Sequence, residues 1–335
     1  MRLLVMGGSE FAGRAVVEEA LARGWEVTVL NRGHRRPPPG VRLLTGDRTA
    51  PGGLARLADA DGTWDVVVDT WSAAPRAVRD AARSLAGRAG RYVYVSSCSV
   101  YTWAPPAGYT EDAPVVAGAS ADARETDYAR DKRGGELAAL DAFGADDSLL
   151  VRCGLLLGPY ENVGRLPWWL ARTARGGEVL APGPRELPLQ YVDVRDLAAW
   201  ILTAAADGRG GPYNLMSARG HATTGSLLDA CARVTGAGAE LRWADPATVL
   251  DAGIEPWTQL PVWVPPDSDM HDALHGADVS RALAAGLVCR PVEETVADTW
   301  AWLRGIGGHA PQRPDRPPVG LDPALEATVL ARLAR

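Results

Sequence analysis

Short apolar runs alternate with amphipathic segments through the first 150 residues of the chain. Apolar runs of strand length occupy residues 2–6, 26–30, 41–44, 65–69, 91–95 and 148–151. Apolar positions at helical spacing occupy residues 12–23, 52–60, 75–86 and 123–142. Alternating strands and helices are typical of a parallel sheet with helices on both faces. The pattern predicts an α/β fold, in which a Rossmann-like, doubly wound parallel sheet is followed by a smaller, mixed domain.

The pattern is less regular after about residue 155, where Gly and Pro residues interrupt it. Residues 190–206 have the pattern of a strand followed by a helix, and we expect them to rejoin the first sheet. Further helices are predicted at 223–235, 278–285 and 292–304, and from about residue 322. We therefore divide the chain into a sheet domain (1–155), a second region (156–310) and a last segment (311–335), in which residues 311–318 form an exposed, Pro-rich linker.

Composition and charge exclude several classes of protein. The chain has 335 residues, of which 47% are hydrophobic and 23% charged, and no apolar run approaches the roughly 20 residues that a membrane-spanning helix needs. A net charge of −6 argues against a general nucleic-acid binder, which needs a clustered basic surface. The four cysteines show neither paired nor zinc-site spacing, so we expect free thiols and a cytoplasmic location.

A glycine-rich turn follows the first strand, with the sequence Gly7-Gly8-Ser9-Glu10-Phe11-Ala12-Gly13. Gly7 permits a tight turn, Gly13 lets the next helix pack close to the strand, and the helix N-terminus suits a pyrophosphate. The alternative is a glycine-rich turn that binds nothing, but its place in the first strand–helix unit favours a dinucleotide site. The central position of the motif holds Glu10 instead of Gly. We expect this carboxylate to turn away or to be neutralised by Arg14.

The residues after the second strand indicate the choice of cofactor. Sites for NAD usually place an acidic residue here for the ribose 2′-hydroxyl, whereas this chain has Asn31 followed by Arg32. A guanidinium suits a 2′-phosphate, so the sequence favours NADP, with NAD as the alternative. Asp47 is placed to reach the adenine, and Thr70 to lie along the central part of the cofactor. The predicted cofactor-binding residues are Gly7, Glu10, Phe11, Gly13, Asn31, Arg32, Asp47, Arg48, Thr70 and Lys132.

Candidate acid–base residues follow the fifth strand. Tyr128 and Lys132 are four residues apart, so a helix places them on one face. An ammonium beside a phenol is expected to lower the pKa of the phenol from about 10, which suits proton transfer near neutral pH. Lys132 is the single lysine among 35 basic residues, which makes an accidental Tyr-x3-Lys pair less plausible. Ser97, at the end of the fifth strand, can polarise the same substrate oxygen. The catalytic candidates are therefore Ser97, Tyr128 and Lys132.

Taken together, these motifs resemble the extended, atypical short-chain dehydrogenase/reductase superfamily, in its NAD-dependent epimerase/dehydratase group. The resemblance covers residues 1–305 and rests on Gly7-Gly8-x4-Gly13, Asp47, Val95-Ser96-Ser97-x2-Val100-Tyr101, Tyr128-x3-Lys132, Val151-Arg152-x-Gly154-x3-Gly158-Pro159 and Val192-x3-Asp196-Leu197-Ala198. It implies that residues 1–155 form the NAD(P)-binding domain and residues 156–310 the substrate-binding region. It also implies that Ser97, Tyr128 and Lys132 are catalytic, that Lys132 holds the nicotinamide ribose, and that the protein is a homodimer paired through the helices at 75–86 and 123–142.

The resemblance leaves three functions open. The leading one is an NAD(P)(H)-dependent oxidoreductase that acts on a small-molecule carbonyl or carbinol. The second is an epimerase that transiently oxidises a sugar or sugar nucleotide. The third, from another class, is a non-catalytic relative that binds nucleotide or RNA.

Two departures from the family pattern narrow the substrate. Cys98 and Ser99 stand where sugar-nucleotide dehydratases carry an Asp-Glu pair, so β-elimination by that route is not expected. Residues 188–191 lack the Arg that often binds a substrate diphosphate, and Arg185 and Arg290 are the candidates to replace it. A UDP- or dTDP-sugar is therefore not favoured.

Two further groups of residues carry weaker signals. Among the tryptophans, Trp103 and Trp168 are the best candidates for a substrate pocket, although tryptophan is mostly a packing residue. The stretch 267–275 holds Asp and His residues with His-x3-His spacing. We interpret it as a solvated loop or lid and expect no metal site.

Overall fold

The computed structural model describes residues 1–60, 62–123, 127–313 and 316–334. Its strands are β1 (Arg2–Met6), β2 (Glu26–Asn31), β3 (Arg42–Thr45), β4 (Trp64–Asp69), β5 (Ala89–Ser97), β6 (Ser148–Cys153), β7 (Leu155–Leu157), β8 (Gly177–Pro182), β9 (Pro188–Leu189), β10 (Tyr191–Asp193), β11 (Gly211–Leu215), β12 (Ala222–Thr223), β13 (Ala239–Ala244), β14 (Pro256–Trp257) and β15 (Leu260–Pro261). Its α-helices are α1 (Phe11–Ala22), α2 (Ala55–Ala58), α3 (Arg76–Leu85), α4 (Tyr128–Phe143), α5 (Arg165–Thr173), α6 (Val194–Ala206), α7 (Thr224–Thr235), α8 (Pro246–Asp251), α9 (Asp269–His275), α10 (Ser280–Ala284), α11 (Val292–Gly305) and α12 (Pro323–Leu333).

A seven-stranded parallel sheet lies at the centre of the first layer, in the order β11-β6-β5-β4-β1-β2-β3. The chain runs outward from β1 through β2 to β3 and then crosses back to β4 on the other side of β1. Ligands bind at such a reversal of strand order, outside the carboxyl ends of the strands. The expected α/β, Rossmann-like fold is confirmed, and its crevice lies where β1 and β4 end.

Both faces of the sheet are buried, which explains the continuous apolar runs in its strands. Successive residues of β1 point to opposite sides: Leu3 and Val5 belong to one apolar cluster, and Leu4 and Met6 to the other. Helices α1 and α6 cover the first side, and α3 and α4 cover the second. Helix α4, which carries both Tyr128 and Lys132, is therefore fixed to the sheet beside the crevice.

The second half of the chain builds a separate apolar cluster and also returns to the first layer. Strands β8 and β13 pair in parallel, and α5, α7, α11 and α12 contribute buried side chains to this cluster. Helix α6 packs against α1, and β11 pairs with β6 at the edge of the central sheet. Residues 194–215 therefore belong to the first layer. Within the described residues, no helix has the length and apolarity needed to cross a bilayer.

Several predicted boundaries were wrong for identifiable reasons. The helix predicted at 52–60 is only Ala55–Ala58, because Gly52 and Gly53 precede it and Gly has a low helix propensity. The helix predicted from residue 123 begins at Tyr128, where the Asp127 carboxylate accepts the Arg130 N–H at 2.8 Å and caps the helix. Residues 124–126 of that prediction lie outside the described residues.

Candidate active site

One cleft of about 1230 Å³ opens at the carboxyl ends of the central strands. Every predicted site residue lines it: Gly7, Glu10, Phe11, Gly13, Asn31, Arg32, Asp47, Arg48, Thr70, Ser97, Tyr128 and Lys132. The cofactor candidates and the catalytic candidates are thus brought together in one place, although they come from five different strand ends and two helices. A cleft of this size can hold a dinucleotide together with a small substrate.

The glycine-rich turn is shaped by two close approaches. Gly7 has φ +128°, and a Cβ there would lie 2.6 Å from Thr70 Oγ1. A Cβ on Gly13 would lie 2.6 Å from the backbone nitrogen of Gly8, so only glycine lets α1 start this close to the turn. No side chain caps the N-terminus of α1. Its first N–H groups therefore face the cleft, which fits the pyrophosphate of a dinucleotide.

Glu10 is neutralised, but by a different arginine from the one expected. Its carboxylate pairs with Arg35 at 2.5 Å and accepts a hydrogen bond from Asn162 Nδ2 at 3.3 Å. Arg14 instead pairs with Glu18 at 2.8 Å, one turn along α1. The prediction that Arg14 neutralises Glu10 was wrong because the turn after β2 brings Arg35 across the glycine-rich loop. The negative charge of Glu10 is therefore neutralised by Arg35, and its bond with Asn162 joins the glycine-rich loop to the opposite wall of the cleft.

Asn31 holds the turn that follows β2. Its Nδ2 donates to Ser9 Oγ at 2.6 Å, and its Oδ1 accepts from the backbone N–H of Gly33 at 2.8 Å. Arg32, the next residue, is exposed at the cleft. The position usually taken by an acidic residue is therefore neutral, and a guanidinium stands beside it.

Asp47 and Arg48 lie side by side but differ in accessibility. Hydrogen bonds from the Thr49 hydroxyl and N–H, helped by the nearby Arg32 cation, lower the pKa of Asp47. Arg48 is buried and makes a bidentate ion pair with Asp69 at 2.7 and 2.6 Å. Its guanidinium thus holds the end of β4, and the contact between Arg48 and a cofactor stays a prediction.

Lys132 is held by two strand ends. Its Nζ donates to the backbone carbonyls of Trp71 and Val95, each at 2.6 Å, and lies 6.0 Å from the centre of the Tyr128 ring. Burial lowers the pKa of Lys132 to about 8, so the ammonium form still predominates at neutral pH. The lysine therefore presents a fixed positive charge at the junction of β4, β5 and α4.

The Tyr128 phenol has a raised pKa. Desolvation by the surrounding protein is the main cause, and it outweighs a hydrogen bond with Ser97 and the charge of Arg316, which both lower the pKa. The prediction that Lys132 lowers this pKa was wrong for the structure as it stands, because the ammonium is turned toward the two carbonyls. At neutral pH the phenol is protonated and shares a hydrogen bond with the Ser97 side chain.

A buried ionic network fixes α4 to the sheet. Glu136 is fully buried and accepts hydrogen bonds from Ser96 Oγ at 2.8 Å and Arg152 Nε at 2.9 Å, while Arg133 pairs with it at 2.7 Å. Ser96 precedes the catalytic candidate Ser97, and Glu136 lies one turn beyond Lys132. The network therefore sets the distance between the strand and the helix that carry the three candidates.

The wall opposite the glycine-rich turn combines tryptophan and arginine. Trp103 and Trp257 line the cleft there, as do Arg165 and Arg316. Trp168 does not; its ring packs edge-on against Trp169, so its expected pocket role was wrong. Sequence reasoning missed both arginines, because Arg165 follows an irregular loop and Arg316 lies in the segment expected to be an exposed linker.

Two further groups of candidates make contacts of their own. Arg290 pairs with Asp196 at 2.7 Å, and Arg185 pairs with Asp229, so neither lines the cleft or replaces the missing diphosphate arginine. In the stretch 267–275, His271 and His275 pack against each other, with ring centres 5.3 Å apart. Burial lowers the pKa of His275 to about 3, and the described residues contain no cluster able to hold a metal ion.

Comparisons with known proteins agree with this architecture. A model of the NAD dependent epimerase/dehydratase family matches residues 3–215. No curated protein matches the sequence. Among solved structures, WbmH of Bordetella bronchiseptica, in complex with NAD+, has a TM-score of 0.65 and 18% identity, over 91% of this chain and 99% of that one.

Two other solved structures contain nucleotides besides NAD. WbmG of Bordetella bronchiseptica, in complex with NAD and UDP, has a TM-score of 0.66 and 19% identity, over 92% of this chain and 96% of that one. DesIV, a dTDP-glucose 4,6-dehydratase from Streptomyces venezuelae with NAD and TYD bound, has a TM-score of 0.62 and 22% identity, over 91% of this chain and 97% of that one. At these identities the likeness concerns the fold.

Proposed function

The chain belongs to the NAD dependent epimerase/dehydratase family, and from that premise we propose that it is an NAD(P)(H)-dependent oxidoreductase that moves a hydride to or from a carbonyl or carbinol carbon. The observation that carries the proposal is one cleft lined both by Ser97, Tyr128 and Lys132 and by the Gly7–Gly13 turn. A bound nicotinamide supplies the hydride chemistry, and the protein supplies position and proton transfer.

The cleft fits a dinucleotide on its own geometry. The close approach of Gly13 to Gly8 and the uncapped N-terminus of α1 form a cradle for a pyrophosphate. Arg32 and Asp47 lie at the adenosine end, Thr70 lies near the middle, and Lys132 would hold the nicotinamide ribose.

Each of the three catalytic candidates has a distinct role in this proposal. In reduction the protonated Tyr128 phenol donates its proton to the oxygen of a carbonyl substrate, and in oxidation the Tyr128 phenolate accepts the proton of a carbinol. Ser97 Oγ donates a hydrogen bond to the same oxygen and keeps it oriented. The Lys132 ammonium stabilises the phenolate that proton donation leaves behind.

We propose NADP as the preferred cofactor because a neutral Asn31 and an exposed Arg32 stand at the ribose end. Replacing Arg32 by Ala is expected to weaken NADPH binding by about 10- to 100-fold, the usual worth of charge-assisted hydrogen bonds, with little effect on NADH. Fluorescence titration with NADPH and with NADH measures the two affinities and their ratio. Arg42→Ala, at the amino end of β3, is the matched control. Equal losses for both cofactors, or no loss, would contradict the NADP preference.

Gly13 tests the cradle itself. Gly13→Ala forces a Cβ to within 2.6 Å of the Gly8 nitrogen, so either the turn or α1 must shift, and we expect at least about a tenfold loss of affinity for NADH and NADPH alike. Gly305→Ala is the control, because a Cβ at Gly305 meets nothing within 4 Å. Unchanged cofactor affinity in Gly13→Ala would show that the dinucleotide does not bind at this turn.

An epimerase is the second candidate function, and it is supported by the match to the NAD dependent epimerase/dehydratase family. The same three residues could oxidise and then re-reduce one bound sugar or sugar nucleotide. The WbmG complex contains UDP, which is the nucleotide part of such a substrate. The two candidates differ in cofactor balance: a reductase consumes NAD(P)H in proportion to product, whereas an epimerase leaves it unchanged.

We also propose a homodimer, paired through α3 and α4. These helices pack side by side on one face of the sheet. Leu137 on α4 is 43% exposed, an apolar side chain that such a contact would cover.

A further inference from the structure

Described residues on both sides of positions 314–315, within or just after the segment expected to be an exposed linker (311–318), lie along the substrate end of the cleft. At its start it approaches the backbone closely: a Cβ on Gly164 would lie 2.6 Å from the Pro311 carbonyl oxygen. At its end, the Gly320 N–H donates to the Thr258 carbonyl at 2.9 Å. Between these points Arg313 and Arg316 line the cleft. Gln312 and residues 316–318 are exposed, as the sequence predicted, but Pro311 and Gly320 lie against α5 and the residue after β14 through contacts that the local sequence does not indicate.

Helix α12 anchors this segment from the other side. Glu326 is buried and accepts hydrogen bonds from Arg172 Nε at 2.7 and 2.9 Å, and from the Leu180 N–H at 3.1 Å. A buried carboxylate with three such bonds fixes α12 to α5 and β8. The position of Arg316 in the cleft is thus set by tertiary structure on both sides.

Two guanidiniums flank the reacting end. Arg316 Cζ lies 5.6 Å from the centre of the Tyr128 ring, and Arg165 Cζ lies 4.9 Å from the centre of the Trp257 ring. None of the ion pairs among the described residues joins a carboxylate to Arg165 or to Arg316. The nearest acid, Glu161, accepts the N–H groups of Arg165 and Leu166, and burial raises its pKa to about 7. Near neutral pH Glu161 is therefore only partly ionised, and it neutralises only part of the positive charge of Arg165.

The carboxylates of the cleft lie at one end. Among the described lining residues they are Glu10 and Asp47, both at the cofactor end and both already engaged by neighbours. At the substrate end the lining includes the guanidiniums of Arg165 and Arg316, and the first of these lies over the Trp257 ring. A site that presents cations, with no carboxylate among its described lining residues, favours an anionic ligand.

We propose that Arg316 and Arg165 bind an oxyanion of the substrate, so that the substrate carries a phosphate ester or a carboxylate at the same end as the oxygen that Tyr128 protonates. This inference rests on the proposed function, since it assumes that Tyr128 marks the reacting end. In this proposal the two guanidiniums donate hydrogen bonds to the oxyanion, and the Trp257 ring stacks against the Arg165 guanidinium. Neutral sugars and neutral ketones then bind weakly, whatever their shape.

The test uses thermal unfolding of the full chain with NADPH or NADH present, because a ligand that binds the folded state raises Tm by an amount that grows with the ratio of its concentration to Kd. Glucose is the neutral probe, glucose 6-phosphate the phosphate ester, glucuronate the carboxylate and UDP the nucleotide diphosphate, each at millimolar concentrations with ionic strength matched by sodium chloride. We expect one or more oxyanion probes to raise Tm and glucose to leave it unchanged. The probe that binds most tightly identifies the source of the oxyanion.

The variants decide whether the two arginines are responsible. Arg316→Gln and Arg165→Gln are each expected to weaken the binding probe by about tenfold or more. Arg304→Gln is the matched control, because Arg304 is an exposed arginine that stacks on Trp300 outside the cleft, and it should bind the probe like the wild type. Arg316→Lys keeps the charge, and we expect it to retain part of the affinity.

The outcomes separate this inference from the proposed function. The inference is overturned if no oxyanion probe raises Tm, if glucose binds equally well, or if both glutamine variants bind like the wild type. Titration of NADPH and NADH against the wild type tests the proposed function independently. Oxyanion binding that depends on Arg316 without any cofactor binding would leave the anion site standing and remove the oxidoreductase.

Discussion

Replacing Tyr128 by Phe is expected to lower turnover by about 10²- to 10⁴-fold, the usual contribution of a positioned general acid. The variant loses one hydroxyl, at the wall of the cleft and not in the apolar core, so folding and NADH affinity should be unchanged. The raised pKa of the phenol keeps it protonated at neutral pH, as the proposed role of proton donor requires. The measurement is the rate of NAD(P)H consumption or product formation with any carbonyl, carbinol or sugar nucleotide that the wild type converts.

A second tyrosine provides the control for this experiment. Tyr160 stacks with the Arg14 guanidinium, whose Cζ lies 4.1 Å from its ring centre, and it does not line the cleft. Tyr160→Phe makes the same chemical change away from the proposed reacting end and should keep wild-type turnover. Comparable activity in Tyr128→Phe and the wild type would remove Tyr128 from the reaction.

Replacing Glu136 by Ala is expected to lower the free energy of unfolding by about 3–5 kcal/mol, because it leaves the buried Arg152 guanidinium without its counter-charge. Arg152 is 4% exposed, and both oxygens of Glu136 accept its hydrogen bonds. The same carboxylate ties Ser96 on β5 to α4, so the variant should also loosen the spacing between Ser97 and Tyr128. Urea unfolding measures the stability, and cofactor titration reports the site.

A surface ion pair on the neighbouring helix is the control. Arg83 and Asp141 join α3 to α4 at 3.0 Å, and each side chain is 61% exposed. Exposed pairs contribute about 0–1 kcal/mol, so Arg83→Ala should leave the unfolding midpoint almost unchanged. If Glu136→Ala cost no more than Arg83→Ala, the buried network would not be what holds α4 in place.

The parts of the site that the sequence revealed are those set by local rules. The Gly7 and Gly13 positions follow from the backbone geometry of a strand–helix turn, and the shared face of Tyr128 and Lys132 follows from helical spacing. The alternation of strands and helices then brings both to one sheet edge. These inferences need no knowledge of which distant segments meet.

The features that sequence reasoning missed depend on contacts between distant segments. Arg35 reaches Glu10 only because the turn after β2 folds over the glycine-rich loop. Arg316 reaches Tyr128 only because residues on both sides of the last segment are anchored. The direction of the Tyr128 pKa depends on how much water the folded chain removes from the phenol, which no local pattern records.

The sequence pattern also did not distinguish the tryptophans that line the cleft, because tryptophan serves both packing and binding. Trp168 and Trp257 have similar local surroundings, each near prolines and apolar residues. The structure separates them: Trp257 lines the cleft beneath Arg165, whereas Trp168 packs against Trp169. Which tryptophan lines the cleft is therefore decided by tertiary packing and not by the neighbouring sequence.

A crystal structure of the protein with NADPH or NADH would locate each part of the cofactor in the cleft. We expect the pyrophosphate to lie against the first N–H groups of α1, Lys132 to contact the nicotinamide ribose, and the nicotinamide ring to lie beside the Tyr128 hydroxyl. A cofactor bound with its nicotinamide at the Arg32 end, or a cleft with no cofactor at saturating concentration, would contradict this expectation.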